Sequence, residues 1–399
     1  MDKYDFSRFY PLIPAQKHYA WGSDTKIQSL IGLKPDGKPL AEIWMGNHPN
    51  GMSYIEIEGK AVAVSDFISE EPEKALGKRC MEQFGSMPFL FKVLAADKPL
   101  SIQAHPDSET AESGFEREER NHIPMDHFTR VYKDPNHKRE MILAISTFYA
   151  LKGFKSIEEI KVNFKKYFPF SGNAFVDFRY SSEEDFYKKF FTRLLSMDQT
   201  LHKAMLRELE TTAKGMGEVE QFIFRRLLYN FPSDRCVFAP LFLNCIKLNP
   251  GESMSIDEGQ LHSYVDGLCF EVMSSSDNTI RGGLTEKFID VLELFTIMKF
   301  VHGSKVCVEP VDKGLEKVYS PGWNEFCLSC ITTGGKTYAG PREHSLEILF
   351  VYSGAGNIEN SSFSLELKRG MAVLVPASAG GYSISGSPDL VFYKAAMPL

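Results

Sequence analysis

Leu100-Ser101-Ile102-Gln103-Ala104-His105-Pro106 is the stretch on which the reading of this chain turns. Ile102, Ala104 and the flanking Leu100 give it strand character, and Gln103 and His105 are two positions apart. On a β-strand both side chains then leave the same face. A polar pair pointing inward from an apolar strand is unfavourable unless something binds it. A metal ion is one such partner. Two further motifs offer donors to complete a site: Glu140 in Asn136-His137-Lys138-Arg139-Glu140, and His262 in Gln260-Leu261-His262-Ser263-Tyr264. On spacing alone, a hydrogen-bonded core histidine accounts for His105 or His262 as well as a ligand does.

Around that stretch the chain alternates in texture. Residues 1–153 read as short strands and turns, such as Ser53-Tyr54-Ile55-Glu56-Ile57 and Phe89-Leu90-Phe91-Lys92-Val93-Leu94, with a helix expected near Val64–Gly77. From Ser156 to about Asn230 the pattern becomes helical. Phe186, Phe190, Phe191, Leu194 and Leu195 recur at helical spacing, and Ser156 before Glu158 and Glu159 is a helix-start signal. These aromatics are expected in a core. Strand character returns at Phe238–Leu248 and fills 301–399, where Glu347–Tyr352 and Met371–Pro376 are separated by glycine-containing turns. Strands at this density predict jelly-roll sandwiches. The economical arrangement is a mainly β protein: one sandwich split by a helical insertion, then a second sandwich. The segments are 1–154 and 235–305 for the split sandwich, 155–234 for the insertion and 306–399 for the second sandwich.

A chain of 399 residues exceeds one ordinary core. Hydrophobic content of 43% is that of a globular protein, and a net charge of −7 gives no electrostatic case for nucleic-acid binding. The N-terminus lacks the apolar run of a signal peptide, and no stretch approaches the ~18 apolar residues that span a membrane. Seven scattered cysteines fit reduced thiols in the cytoplasm. Cys327-Leu328-Ser329-Cys330 has no second cysteine or histidine pair beside it and is read as strand packing.

Several ordered motifs narrow the reading further. Tyr19-Ala20-Trp21-Gly22, Ala41-Glu42-Ile43-Trp44-Met45-Gly46 and Pro88–Leu94 lead into Leu100–Pro106. Tyr132–Met141, His262-Ser263-Tyr264 and Ser276–Phe288 follow. Together these closely resemble the type I phosphomannose isomerases, from the N-terminus to the C-terminal sandwich. The resemblance implies two cupin-type jelly rolls with an α-helical domain inserted in the catalytic one. It implies one Zn²⁺ held by Gln103, His105, Glu140 and His262, and a catalytic arginine at Arg281. It also places Lys92, Ser101, Lys138 and Lys287 around a sugar-phosphate pocket. The implied reaction interconverts mannose 6-phosphate and fructose 6-phosphate by proton transfer through a cis-enediol. Lys138 is a candidate for the proton-transfer role, if burial and a nearby cation depress its pKa. The expected partner is a small sugar phosphate, with no membrane and no nucleic acid, and the chain is expected to be a monomer.

The sequence departs from the family pattern at Arg139 and Leu261, where the family usually has proline, and at Glu286, where it often does. Loss of proline's fixed φ at 139 is expected to loosen the turn that aims Glu140. Trp21 and Trp44 are expected to pack, His48 to serve a turn, and His137 to face away from Glu140. Two rival functions share the motifs' chemistry: a sugar-phosphate sensor without turnover, and a cupin oxygenase using iron. Gln103 as a fourth donor and the cationic residues fit the oxygenase poorly.

Overall fold

A computed structural model describes residues 3–300 and 307–398. The boundary expected at 305/306 lies outside the described residues. Among them, the strands form one ten-stranded, one nine-stranded and one four-stranded sheet.

The ten-stranded sheet is organised by one long strand, His262–Ser274. Its first part pairs with Phe148–Phe154 and touches Ile102–Ala104; its second part pairs with Phe89–Ala96 and Glu140–Ala144. Between the two parts the register shifts, and Gly267 adopts φ +134°. A Cβ there would come within 2.6 Å of the Phe148 ring, so only glycine lets the strand pass from one set of partners to the other. Residues facing inward along this strand therefore look into one sandwich interior.

Helices from Ile157 to Asn230 lie between two strands that are themselves paired, Phe148–Phe154 and Leu243–Leu248. The first helix, Ile157–Tyr167, starts with a full capping box: Ser156 accepts from the Glu159 N–H and the Glu159 carboxylate accepts from the Ser156 N–H. Phe164, Phe168, Phe186, Phe190 and Phe191 are fully buried, in one cluster with Ile102, Ala104, Leu151 and Phe154 of the sheet. The expected aromatic core is thus continuous with the back of the strand that carries Gln103.

The nine-stranded sheet joins the two ends of the chain. Tyr10–Ile13 pairs with Ala372–Val375 on one side and with Tyr54–Ile57 on the other. N-terminal strands therefore complete the sheet of the C-terminal sandwich. Two local expectations are revised. The helix expected near Val64–Gly77 is two, Val64–Glu70 and Pro72–Leu76, because Glu71 precedes proline and cannot stay helical. The strand expected from Phe238 begins at Leu243. Arg235–Leu241 is a 3₁₀ helix started by Asp234, whose carboxylate accepts from the Cys236 N–H, and Pro240 has no N–H to give to a ladder. Cys327 and Cys330 lie on the strand Cys327–Thr332 and all seven cysteines are free thiols. No described helix is long and apolar enough to cross a membrane.

Candidate metal centre

The strand Ile102–Ala104 is flanked by His262 on one side and Arg281 on the other, each in register with Gln103. Glu140 opens the strand Glu140–Ala144 and faces the same interior. His105 Nε2 lies 3.1 Å from one Glu140 oxygen, and His262 Nε2 lies 3.3 Å from the other. The three side chains are almost completely buried.

Backbone carbonyls fix which nitrogen of each ring carries the hydrogen in its neutral form. His105 Nδ1 donates to the Asn278 carbonyl at 2.7 Å, and His262 Nδ1 donates to the Gln260 carbonyl at 2.9 Å. In neutral imidazoles Nε2 is then a bare lone pair. Burial and the Lys138 ammonium hold His105 down at about 3, so it stays neutral at ordinary pH. Its buried Nε2 has no hydrogen-bond partner. Burial pushes Glu140 up, but the Lys138 ammonium at 2.9 Å together with His105 and His262 outweighs it, and the carboxyl is held well below its usual value. Both Nε2 atoms thus point at the Glu140 carboxylate, leaving three donor atoms converging on one point. A cation satisfies all three, and two imidazoles with a carboxylate suit zinc.

Gln103 stands beside this group, its amide nitrogen 3.5 Å from His262 Nε2 and its oxygen accepting from Ser101 Oγ at 3.0 Å. A half-turn of the carboxamide would present the oxygen to the cluster. The Ser101 hydroxyl can serve either end, so that turn leaves its hydrogen bond intact.

The cationic residues fall into two groups. Lys92 is buried between Glu271, at 3.0 Å, and Glu42, at 3.6 Å, and lies 4.8 Å from the Trp44 ring centroid. Burial disfavours its charge, but these carboxylates win and raise its pKa. Arg281 has no carboxylate partner among the described residues; its Nη1 makes a long bond, 3.5 Å, to the Thr279 carbonyl. Burial lowers it; burial and Arg281 lower the exposed Lys287, and burial, Arg130 and Arg281 lower the half-buried Lys133. Three neighbouring cations, two of them lowered by the Arg281 charge, make a site for an anion.

Five contributors were not singled out in the sequence. Glu42 and Glu271 answer Lys92. Tyr264 donates from its hydroxyl to Glu140 at 2.9 Å. Asn278 is fully buried and clips the segment before Glu140 to the strand of Arg281, through Lys133 N–H and the carbonyls of Asp134 and Asn136. Lys133 adds a third cation. Trp44 packs as expected, and its Nε1 also donates to Glu42 at 2.9 Å. His48 receives the Asn50 N–H in a turn, and His137 donates to Glu325 at 2.7 Å, away from Glu140.

A jelly-roll protein with this buried donor cluster and anion pocket is of the cupin type. Residues 9–157 match the family model "Phosphomannose isomerase type I, catalytic domain". Mannose-6-phosphate isomerase of Escherichia coli (strain K12) is 35% identical over 381 residues, covering 94% of this chain and 96% of its own. Mannose-6-phosphate isomerase 1 of Arabidopsis thaliana is 31% identical over 412 residues, covering 95% and 91%. The crystal structure of mannose 6-phosphate isomerase from Salmonella typhimurium bound to fructose 6-phosphate and zinc superposes with a TM-score of 0.90 at 32% identity. It covers 98% of this chain and all of that one. The chain belongs to the type I phosphomannose isomerase family.

Proposed function

We propose that the chain is a zinc-dependent aldose–ketose isomerase acting on D-mannose 6-phosphate and D-fructose 6-phosphate. The observation that carries this is the convergence of His105 Nε2, His262 Nε2 and Glu140 beside Gln103, whose cross-strand neighbour Arg281 has no carboxylate partner among the described residues. The proposed ligands are Gln103, His105, Glu140 and His262, holding one Zn²⁺. When bound, the ion supplies Lewis acidity toward the oxygens at C1 and C2 of the open sugar.

The remaining chemistry falls to the chain's own residues. Isomerisation moves a proton between C1 and C2, and the developing enediolate needs positive charge in a pocket poor in water. Arg281 supplies that charge. Lys138, on Glu140, is the proposed proton carrier. Lys287, with Lys133 and Ser101, receives the phosphate end, and Lys92 with its carboxylates binds sugar hydroxyls. We read 1–154 with 235–305 as the catalytic unit, 155–234 as an insertion and 306–399 as the second sandwich. We also read the chain as a cytoplasmic monomer, with free thiols and without nucleic-acid or membrane partners.

The test combines elemental analysis with an assay on one preparation: purified protein is given fructose 6-phosphate and mannose 6-phosphate is measured. A zinc-replete preparation without turnover overturns the reading.

A further inference from the structure

The contacts of Arg139 tie three parts of the molecule together. Its N–H donates to Ser274 Oγ at 3.2 Å, a bond proline could not make, and its carbonyl accepts from the Ser274 N–H at 2.9 Å. Its Nε donates to Glu258 at 2.7 Å, and its Nη1 donates to Glu325 of the C-terminal sandwich at 3.2 Å. The guanidinium also lies 5.5 Å from the Trp323 ring centroid. The same Glu325 oxygen receives His137 Nε2 at 2.7 Å.

Side chains alternate along this extended segment. Lys138 and Glu140 turn inward and meet at 2.9 Å, while His137 and Arg139 turn outward onto Glu325. Glu258 opens the other route to the site. Gly259, next to it, gives its N–H to the His105 carbonyl at 2.8 Å, and the Gln260 carbonyl holds His262 Nδ1. One guanidinium thereby connects the segment of Glu140, the loop that holds the His105 backbone and the His262 ring, and the second sandwich.

We infer that Arg139 is a positioning residue through which the C-terminal sandwich, anchored at Glu325, braces the segment presenting Lys138 and Glu140. The inference rests on the reading of Glu140 as a ligand. The rigidity of the brace comes from a fork of charge-assisted hydrogen bonds.

The experiment compares full-length, zinc-loaded wild type with Arg139→Ala, Arg139→Lys and Glu325→Gln. It reads amide hydrogen exchange over residues 137–144, zinc release to a chelator, and kcat and KM. For Arg139→Ala we expect exchange about tenfold faster. Zinc should leave up to ~10-fold more readily, at or below the low end of the range for losing a group that hydrogen-bonds a ligand directly. The loss of activity should sit in kcat, with KM changed little. Arg139→Lys should recover part, since it keeps the charge without the fork, and Glu325→Gln should shift the same readouts by less. Wild-type exchange and zinc retention in Arg139→Ala overturn the inference, whatever its melting temperature. If that variant does not fold, the same result in Glu325→Gln overturns it. Wild type that holds no zinc and shows no turnover overturns the functional reading instead, and the exchange comparison still decides the brace.

Discussion

Each sandwich buries one lysine between two glutamates, and the two clusters are completed differently. In the first, Lys92 meets Glu271 and Glu42, and Trp44 closes one side. In the second, Lys394 meets Glu316 at 3.1 Å and Glu347 at 3.6 Å. There two tyrosines finish the network: Tyr338 receives Lys394 at 2.9 Å and donates to Glu316 at 3.0 Å, and Tyr382 donates to Glu347 at 2.6 Å. A buried charge is tolerated when its partners and hydrogen bonds are all supplied. The second cluster supplies them from within, and none of its side-chain atoms is among the buried polar atoms without a partner. The first lies beside a histidine whose buried Nε2 has none. The same kind of ion cluster is thus a sealed structural element in one sandwich and the wall of an unfinished donor site in the other.

The sharpest way to break this contrast is to remove a donor from the unfinished site. His262→Ala should lose metal and activity together, with turnover down by well over ~100-fold, more than an outer-shell change would cause. Metal analysis and the isomerase assay on the same sample check it, and full activity would end the ligand assignment. Arg281→Ala separates charge from metal. It should keep zinc and lose about 10²–10³ in turnover, the scale for deleting one group that stabilises developing charge. Loss of zinc in that variant would make Arg281 structural.

How far the sequence carries this contrast depends on distance along the chain. Gln103 and His105 are legible because a spacing of two on a short strand sets both on one face. Glu140 and His262 come from remote segments, and only the resemblance joins them to that pair. Lys92 is legible through the same resemblance, but its burial between Glu42 and Glu271 is not. A single charged residue in a strand looks solvent-facing until its cross-strand neighbours in Glu42–Met45 and His262–Ser274 are known. Asn278 has no pattern at all, since its value lies in backbone groups brought to it by folding. The pairing of Tyr10–Ile13 with Ala372–Val375 is hidden for the same reason, because register between the two chain ends leaves no local trace.

A paired substitution sharpens the comparison itself. Lys394→Met leaves Glu316 and Glu347 buried without their cation, and breaking such a pair costs about 3–5 kcal/mol. Chemical denaturation should show that loss, while zinc content and turnover of the folded fraction stay at wild-type level. Lys92→Met should show a similar loss of stability and a fall in turnover as well. Equal effects on turnover from the two variants would erase the distinction between structural cluster and pocket wall.

The smallest expected effect is on pH dependence, and it too differs between the clusters. Burial pushes both Glu271 and Glu316 up. At Glu271 Lys92 only partly offsets burial, so the carboxyl stays above its ordinary value. At Glu316, Lys394, Ser329 and Tyr338 together outweigh burial and hold it below. Below the unfolded value of about 4.5, the unfolded chain takes up a proton at position 316 before the folded chain does, so stability falls with acidification in that window. Above that value both states are ionised at Glu316 and its contribution is constant. Glu316→Gln should therefore flatten the acid limb of melting temperature against pH by the share of one carboxylate, after allowing for its lower starting stability. Glu271→Gln should not flatten that limb: a raised carboxyl opposes folding as pH rises through its window and lends nothing that acid could remove. An acid limb unchanged in Glu316→Gln would mean that Lys394 and the tyrosines hold the second sandwich together without an ionised partner at 316.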